Sequence, residues 1–175
     1  MRSIRFAAAA LFLTMGAAHA QDRNPCGAGT VCASDPQSVM RAMDKADLKP
    51  KLATDNSGDP LIESDAAAYH FDVYFYGCET HKNCDSLRLE VDFRKEDDNT
   101  LDLANKWNQA HRFMQAAVAK DGRFVMAYDV ATIGGINDRN FADILDWWTS
   151  TLGDLAEFFQ TELKPADKPA DKPAK

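Results

Sequence analysis

The pattern of apolar and polar residues, together with turn signals between apolar segments, predicts six strands. Two segments, Tyr69–Tyr76 and Leu87–Phe93, alternate strictly with a period of two, which is typical of strands with one apolar face. An Asp-Gly pair at residues 121–122 lies between two further apolar segments and is a strong hairpin signal. The predicted strands are Lys51–Thr54, Pro60–Glu63, Tyr69–Tyr76, Leu87–Phe93, Phe113–Ala119 and Arg123–Val130.

Apolar residues at helical spacing predict one helix before the strands and a second helix between the fourth and fifth strands. Asp35, followed directly by a proline, is a typical start for the first helix, whose pattern ends at Lys49 before another proline. Asn99 or Thr100 caps the second helix, and its pattern fades at Arg112.

A third predicted helix is the longest. Asn137 caps it, and apolar residues trace one face for about seven turns to Leu163. Its adjacent tryptophans, Trp147 and Trp148, point about 100° apart. Trp148 fits the apolar face, which leaves Trp147 near its edge. Trp147 therefore belongs either to a wide buried face, which is the interpretation we favour, or to an exposed patch for a partner or a second copy.

The predicted element order is α-β-β-β-β-α-β-β-α, which is typical of an α+β domain. We expect a twisted antiparallel sheet of about five to six strands with helices packed against it. The domain is predicted to span residues 34–163, after a loose segment at 21–33 and before a disordered tail at 164–175. The tail repeats Lys-Pro-Ala-Asp, a composition that cannot bury enough apolar surface to fold.

Residues 1–20 have the pattern of a secretory signal peptide. Arg2 and Arg5 precede an apolar centre at Phe6–Met15, and Ala18-His19-Ala20 forms a cleavage site. The apolar stretch is short for a retained membrane anchor. The sequence therefore predicts cleavage before Gln21 and a periplasmic or secreted protein, with no membrane insertion after cleavage.

Composition limits the class of partner. The chain has 175 residues, of which 45% are hydrophobic, and this is ordinary for a globular protein. Its net charge is -7, and loss of the two arginines in the signal peptide lowers the charge to -9. Because nucleic-acid binding requires a broad basic surface, we expect no nucleic-acid partner.

The four cysteines form two pairs with five residues between partners. They are Cys26 and Cys32, then Cys78 and Cys84. An even number of cysteines in an exported protein favours two disulfides, and local pairing is the simplest of three connectivities. The alternative is a zinc site assisted by His70 or His81, but structural zinc cysteines usually lie two to four residues apart. We expect neither a metal nor a cofactor.

Several motifs in the domain are similar to those of one known family. Their most specific part is Asn-Lys-Trp-Asn at residues 105–108, followed by Arg-Phe at 112–113. The residues concerned are Phe71–Cys78, Asn105, Trp107, Asn108, Arg112, Phe113, Asp129, Gly134 and Gly135. This pattern resembles the YbjN-domain family, whose members are described as bacterial sensory transduction regulators. The resemblance covers roughly residues 34–163.

The resemblance implies a fold similar to that of the type III secretion chaperones, small α+β proteins that dimerise and bind polypeptides. It supplies no catalytic residues. Within the motif, Asn105, Asn108 and Arg112 recur at helical spacing and would share one helix face. They form either a binding surface or a set of side chains that satisfy backbone groups where helix gives way to strand, and we favour the second interpretation.

These observations favour an exported, non-enzymatic module that binds another protein or a second copy of itself, as a chaperone, adaptor or regulator. No nucleophile, metalloprotease, phosphate-loop or dinucleotide motif occurs in the sequence. Of the histidines, His70, His81 and His111 lie in the predicted mature chain, outside any such motif. The alternatives are an envelope enzyme with an acid–base pair around His70 or His81, and a protein that binds a small ligand or metal.

Overall fold

The computed structural model describes residues 26–163, which contain three helices and eight strands. In chain order these are β1 (Thr30–Val31), α1 (Pro36–Lys45), β2 (Lys51–Thr54), β3 (Pro60–Ala66), β4 (Tyr69–Tyr76), β5 (Ser86–Phe93), α2 (Leu101–Ala110), β6 (Gln115–Val118), β7 (Phe124–Ala131), β8 (Ile136–Asn137) and α3 (Asp138–Glu162). The predicted signal peptide, its cleavage site and the predicted tail lie outside the described residues.

Antiparallel pairing joins six strands into one sheet in the order β2-β3-β4-β5-β7-β6. β1 and β8 pair separately as a two-stranded sheet. The predicted α+β class is therefore confirmed. Within residues 26–163 no helix is both long and apolar enough to cross a membrane.

One face of the large sheet forms the core. The apolar positions of β4 and β5 are buried, as their period-two pattern predicts; they are Phe71, Val73, Phe75, Leu87, Leu89 and Val91. α3 packs on this face, where Trp148 lies 5.4 Å from Phe71, measured between ring centroids. Further along the helix, Phe159 lies 5.0 Å from Phe93 and 5.9 Å from Phe124. A single helix therefore contacts three strands of the sheet.

The starts of the helices follow the capping residues of the sequence. The side chains of Asp35, Thr100 and Asn137 each accept a hydrogen bond from a backbone N–H in the first turn. For α2 the cap is Thr100 rather than Asn99. The Asn99 side chain instead donates to the carbonyls of Arg94 and Gly122, both at 3.0 Å, and so links the loop before α2 to the β6–β7 turn.

Element boundaries differ from the sequence prediction by up to four residues. α1 ends at Lys45 rather than at Lys49, because Asp47 adopts a left-handed backbone with φ of 59°. β3 continues to Ala66, past its predicted end. β6 begins at Gln115, so the predicted strand at 113–119 is shorter and excludes Phe113.

The segment before α1 carries more structure than the loose segment predicted for residues 21–33. Val31, Cys32 and Ala33 are fully buried. Thr30 and Val31 pair with Asn137 and Ile136 of β8, and the Ala33 N–H donates to the Thr132 hydroxyl at 3.0 Å. Because β8 directly precedes α3, this pairing fixes the start of the longest helix within residues 26–163 against the segment before α1.

Both local cysteine pairs are at bonding distance. Cys26 bonds Cys32, and Cys78 bonds Cys84 in the connection between β4 and β5. In the same connection the Asp85 N–H donates to the Tyr76 carbonyl at 2.8 Å, which closes the hairpin. With their sulfurs bonded, the cysteines have no thiolates to hold zinc.

Candidate interaction surface

The junction between α2 and β6 is organised around Trp107. Its side chain is fully buried, and its indole N–H donates to the carbonyl of Met114 at 2.9 Å. The imidazole of His111 stacks on the indole with 3.6 Å between ring centroids, and Phe158 of α3 meets it edge-on at 5.1 Å. Trp107 therefore ties together the end of α2, the start of β6 and α3.

Asn108 protects the free edge of β6. Its side-chain amide donates to the carbonyl of Ala116 at 3.0 Å and accepts from the Ala116 N–H at 2.8 Å. β6 is the last strand of the sheet, so the outward backbone groups of Ala116 face away from β7. By pairing with both groups, Asn108 covers part of an edge that could otherwise pair with another chain.

The shared helix face predicted for the three polar motif residues does not form. α2 ends at Ala110, so Arg112 lies beyond the helix and the spacing argument fails at that residue. Asn105 is exposed on α2 and Asn108 is occupied by Ala116. The guanidinium of Arg112 lies over the ring of Phe113, 4.7 Å from its centroid.

A tight turn directs Phe113 away from the core. The Met114 N–H donates to the Arg112 carbonyl at 2.9 Å, and Phe113 between them has φ of 68°. This is a γ-turn with a positive φ, a rare and strained conformation. Met114 is buried while 39% of Phe113 is exposed. The buried bond from Trp107 to Met114 holds the turn in place.

Phe113 joins two other aromatic residues on the surface. Its ring stacks on Tyr128 of β7 at 5.6 Å and contacts Trp147 of α3 at 5.3 Å, measured between ring centroids. Trp147 is 47% exposed, whereas the adjacent Trp148 is fully buried. We name Arg112, Phe113, Tyr128 and Trp147 the aromatic patch. Its members come from three separate parts of the chain.

Acidic side chains flank the aromatic patch along α3. Asp143, Asp146 and Ser150 line an open cavity of about 300 Å³ together with Trp147. Burial, and then the negative charge of Asp143, raise the pKa of Tyr128. The Tyr128 hydroxyl therefore stays protonated and able to donate a hydrogen bond at neutral pH. The patch thus combines aromatic rings with nearby carboxylates.

Comparison with known families identifies the chain. The family model described as "YbjN: Putative bacterial sensory transduction regulator" matches residues 35–161, from the start of α1 almost to the end of α3. The chain belongs to the YbjN family. This confirms the resemblance carried by the Asn-Lys-Trp-Asn motif, and the matched range contains the whole aromatic patch.

A solved structure of the YbjN family has the same overall fold. It is that of YbjN, "a putative transcription regulator from E. coli", with a TM-score of 0.53 and 12% sequence identity. The similarity covers 75% of this chain and 96% of that chain. The comparison with curated proteins finds no match.

The glycines of the YbjN motif shape the turn between β7 and β8. Gly134 and Gly135 both have positive φ, 82° and 81°. A side chain at Gly135 would place its Cβ 2.6 Å from the hydroxyl oxygen of Thr30 in β1. Gly135 is therefore required for the close approach of β1, and neither glycine lines the aromatic patch.

The histidines considered for acid–base chemistry are spread over the surface. His70 is exposed and lies 3.1 Å from a carboxylate oxygen of Asp65 and 3.7 Å from one of Asp72. Burial raises the pKa of Asp72, and burial together with Asp72 raises the pKa of Tyr74 to about 12. These groups lie on the outer, solvent-facing side of β4.

The other two histidines have different surroundings. His81 lies in the connection that Cys78 and Cys84 close, and its ring is 2.8 Å from a carboxylate oxygen of Asp59. His111 is half-buried and stacks on Trp107. Within residues 26–163 no three histidine, cysteine, aspartate or glutamate side chains are grouped to hold a metal ion.

Replacing each buried tryptophan by phenylalanine should show how much the hydrogen bond of Trp107 contributes to the free energy of unfolding beyond side-chain packing. Trp107→Phe removes a buried donor and leaves the Met114 carbonyl without that partner, whereas the Trp148 indole N–H has no acceptor among the described residues. We expect Trp107→Phe to lower the free energy of unfolding by about 1–2 kcal/mol more than Trp148→Phe. Urea denaturation followed by circular dichroism measures both values. Equal losses would contradict a special role for the Trp107 bond.

Proposed function

We propose that this YbjN-family protein is an exported, non-enzymatic module that binds a polypeptide at the aromatic patch and acts as a regulator, adaptor or chaperone. The observation that carries the proposal is the contact of Phe113 with Trp147, two partly exposed rings held together from distant parts of the chain. Exposed aromatic rings that contact each other on a folded surface are typical of binding sites.

The geometry of the patch favours a partner with an apolar side chain. Trp147 and Phe113 are large and have few rotatable bonds, so ordering them on binding costs little entropy. Phe113 is further restrained by its γ-turn and by the Arg112 guanidinium above its ring. A preorganised aromatic surface of this kind gains affinity because the cost of ordering was met during folding.

The carboxylates beside the patch favour basic residues in the same partner. Asp143 and Asp146 lie on the turn of α3 that carries Trp147. A polypeptide with lysine or arginine next to an apolar side chain would place its cations near these carboxylates. Arg112 is the one cation of the patch, so two copies meeting there would bring four of these carboxylates together with only two guanidinium groups. The charges therefore support a basic polypeptide over a second copy.

The surroundings of the titratable groups support binding over catalysis. The side chain of His70 is 60% exposed and that of His81 is 58% exposed, and each is paired with aspartate. General acid–base catalysis works best where a site excludes water and its groups converge on the substrate. Membership of a family described as regulatory agrees with a binding role.

Export is the second part of the proposal. It rests on the pattern of residues 1–20 and agrees with the two cysteine pairs, since disulfides persist in oxidising compartments. The exported protein should begin at Gln21, and intact-mass spectrometry of the protein recovered from the periplasm or medium measures this directly. Recovery of a chain that still begins at Met1 would contradict cleavage.

Binding can be tested with labelled peptides of defined chemistry. One series carries phenylalanine or leucine flanked by lysine, and a matched series carries the same apolar residue flanked by glutamate. We expect the basic series to bind the mature chain more tightly, as measured by fluorescence anisotropy, and the affinity to fall with added salt. Trp147→Ala should weaken binding of the basic series by about tenfold or more, because an anchor residue is removed.

Tyr76→Ala is the matched control for this experiment. Tyr76 is 49% exposed, nearly the same as Trp147, but it lies on the outer face of β4. We expect Tyr76→Ala to leave peptide affinity unchanged. Equal weakening by both variants, or no preference between the two peptide series, would contradict the proposed site. Self-association that Trp147→Ala abolishes would assign the patch to a second copy instead.

A further inference from the structure

A second apolar groove opens beside the C-terminal end of α3. It has a volume of about 450 Å³. Phe93 of β5 and Phe159 of α3 lie in it at 5.0 Å between ring centroids, both half-buried. Leu163, directly after α3, is 40% exposed and also lines the groove. The groove therefore presents apolar surface at the point where the described chain ends.

Charges of both signs border this groove. Glu96 and Asp98, from the loop between β5 and α2, contribute carboxylates, and Arg94 contributes a guanidinium. All three side chains are exposed, and Arg94 lies 3.9 Å from Glu96. A ligand that fits the groove would combine an apolar group with lysine and aspartate at short spacing.

We propose that the occupant of this groove is the chain's own Lys-Pro-Ala-Asp tail, residues 164–175. Each of the two complete repeats supplies the three chemical groups that the groove would complement. Proline packs on aromatic rings, lysine pairs with Glu96 or Asp98, and aspartate pairs with Arg94. The first repeat contains Lys164, Pro165 and Asp167.

The position of the tail in the chain supports this occupant. Lys164 follows Leu163 directly, so the first repeat begins at the wall of the groove without an intervening linker. Docking is then intramolecular, and the local concentration of the tail is high enough for a weak contact to be populated. Regular prolines also restrict the free tail, which lowers the entropy lost on docking.

Tail docking is separate from the proposed polypeptide site. Trp147 lies sixteen residues before Leu163, which corresponds to roughly 24 Å along the axis of α3. The tail therefore covers Phe93 and Phe159 and leaves the aromatic patch open. Its function is to shield a second apolar surface from unrelated partners, and failure of one proposal leaves the other standing.

Nuclear magnetic resonance of the full mature chain tests the docking. Pro165→Ala should shift the ring resonances of Phe93 and Phe159, whereas Pro173→Ala at the far end of the tail should leave them unchanged. The backbone N–H groups of Lys164, Ala166 and Asp167 should have heteronuclear NOE values close to those of α3. Raising NaCl to about 0.5 M should lower these values, because salt screens the ion pairs.

A pair of charge variants gives the matched control. Glu96→Gln with Asp98→Asn removes the groove carboxylates and should lower the NOE values of residues 164–167. Asp143→Asn with Asp146→Asn makes the same change in charge at the aromatic patch and should not. Low NOE values throughout the tail, with unshifted Phe93 and Phe159 rings, would overturn the proposal. Shifts that depend on protein concentration would also overturn it, because they assign the groove to the tail of a second copy.

Discussion

The buried indole N–H of Trp107 donates to the Met114 carbonyl, and this bond offsets the cost of removing both polar groups from water. The bond fixes Met114 in the core directly before β6, which begins at Gln115, so the chain that leaves α2 must turn sharply to reach Met114. Phe113 occupies that turn with a positive φ and faces outward. The surface that we assign to partner binding therefore depends on a buried contact on the other side of the backbone.

The sheet was predictable because its central strands bury one face each. In β4 and β5 the alternation fixes which side chains enter the core, and α3 is recognisable from its long apolar face. The two main misses have separate causes. The β3–β4 turn consists of Ala67 and Ala68, both with positive φ, and alanine gives no sequence signal for that conformation. Residues before α1 looked loose because their order comes from pairing with distant β8.

Individual residues of the candidate site were predictable from the sequence, but the contacts between them were not. The helical period places Trp148 on the apolar face of α3 and Trp147 near the edge of that face. The Asn-Lys-Trp-Asn motif indicates a helix-to-strand junction. No local pattern shows that Phe113 and Trp147 meet, since their contact depends on how α3 crosses the sheet. Helical spacing predicted Arg112 on the same face of α2 as Asn105 and Asn108, whereas the helix ends at Ala110. Contacts between residues far apart in sequence could be identified only from the folded structure.

Site-specific photocrosslinking in cells tests the assignment of the aromatic patch most directly. A benzophenone amino acid placed at position 147 would react with whatever polypeptide lies against the patch, and the same group at position 76 samples an equally exposed position on the outer sheet face. We expect position 147 to give discrete adducts with a polypeptide and position 76 to give none of them. Identical adducts from both positions, or none from position 147, would contradict a docking site at the aromatic patch.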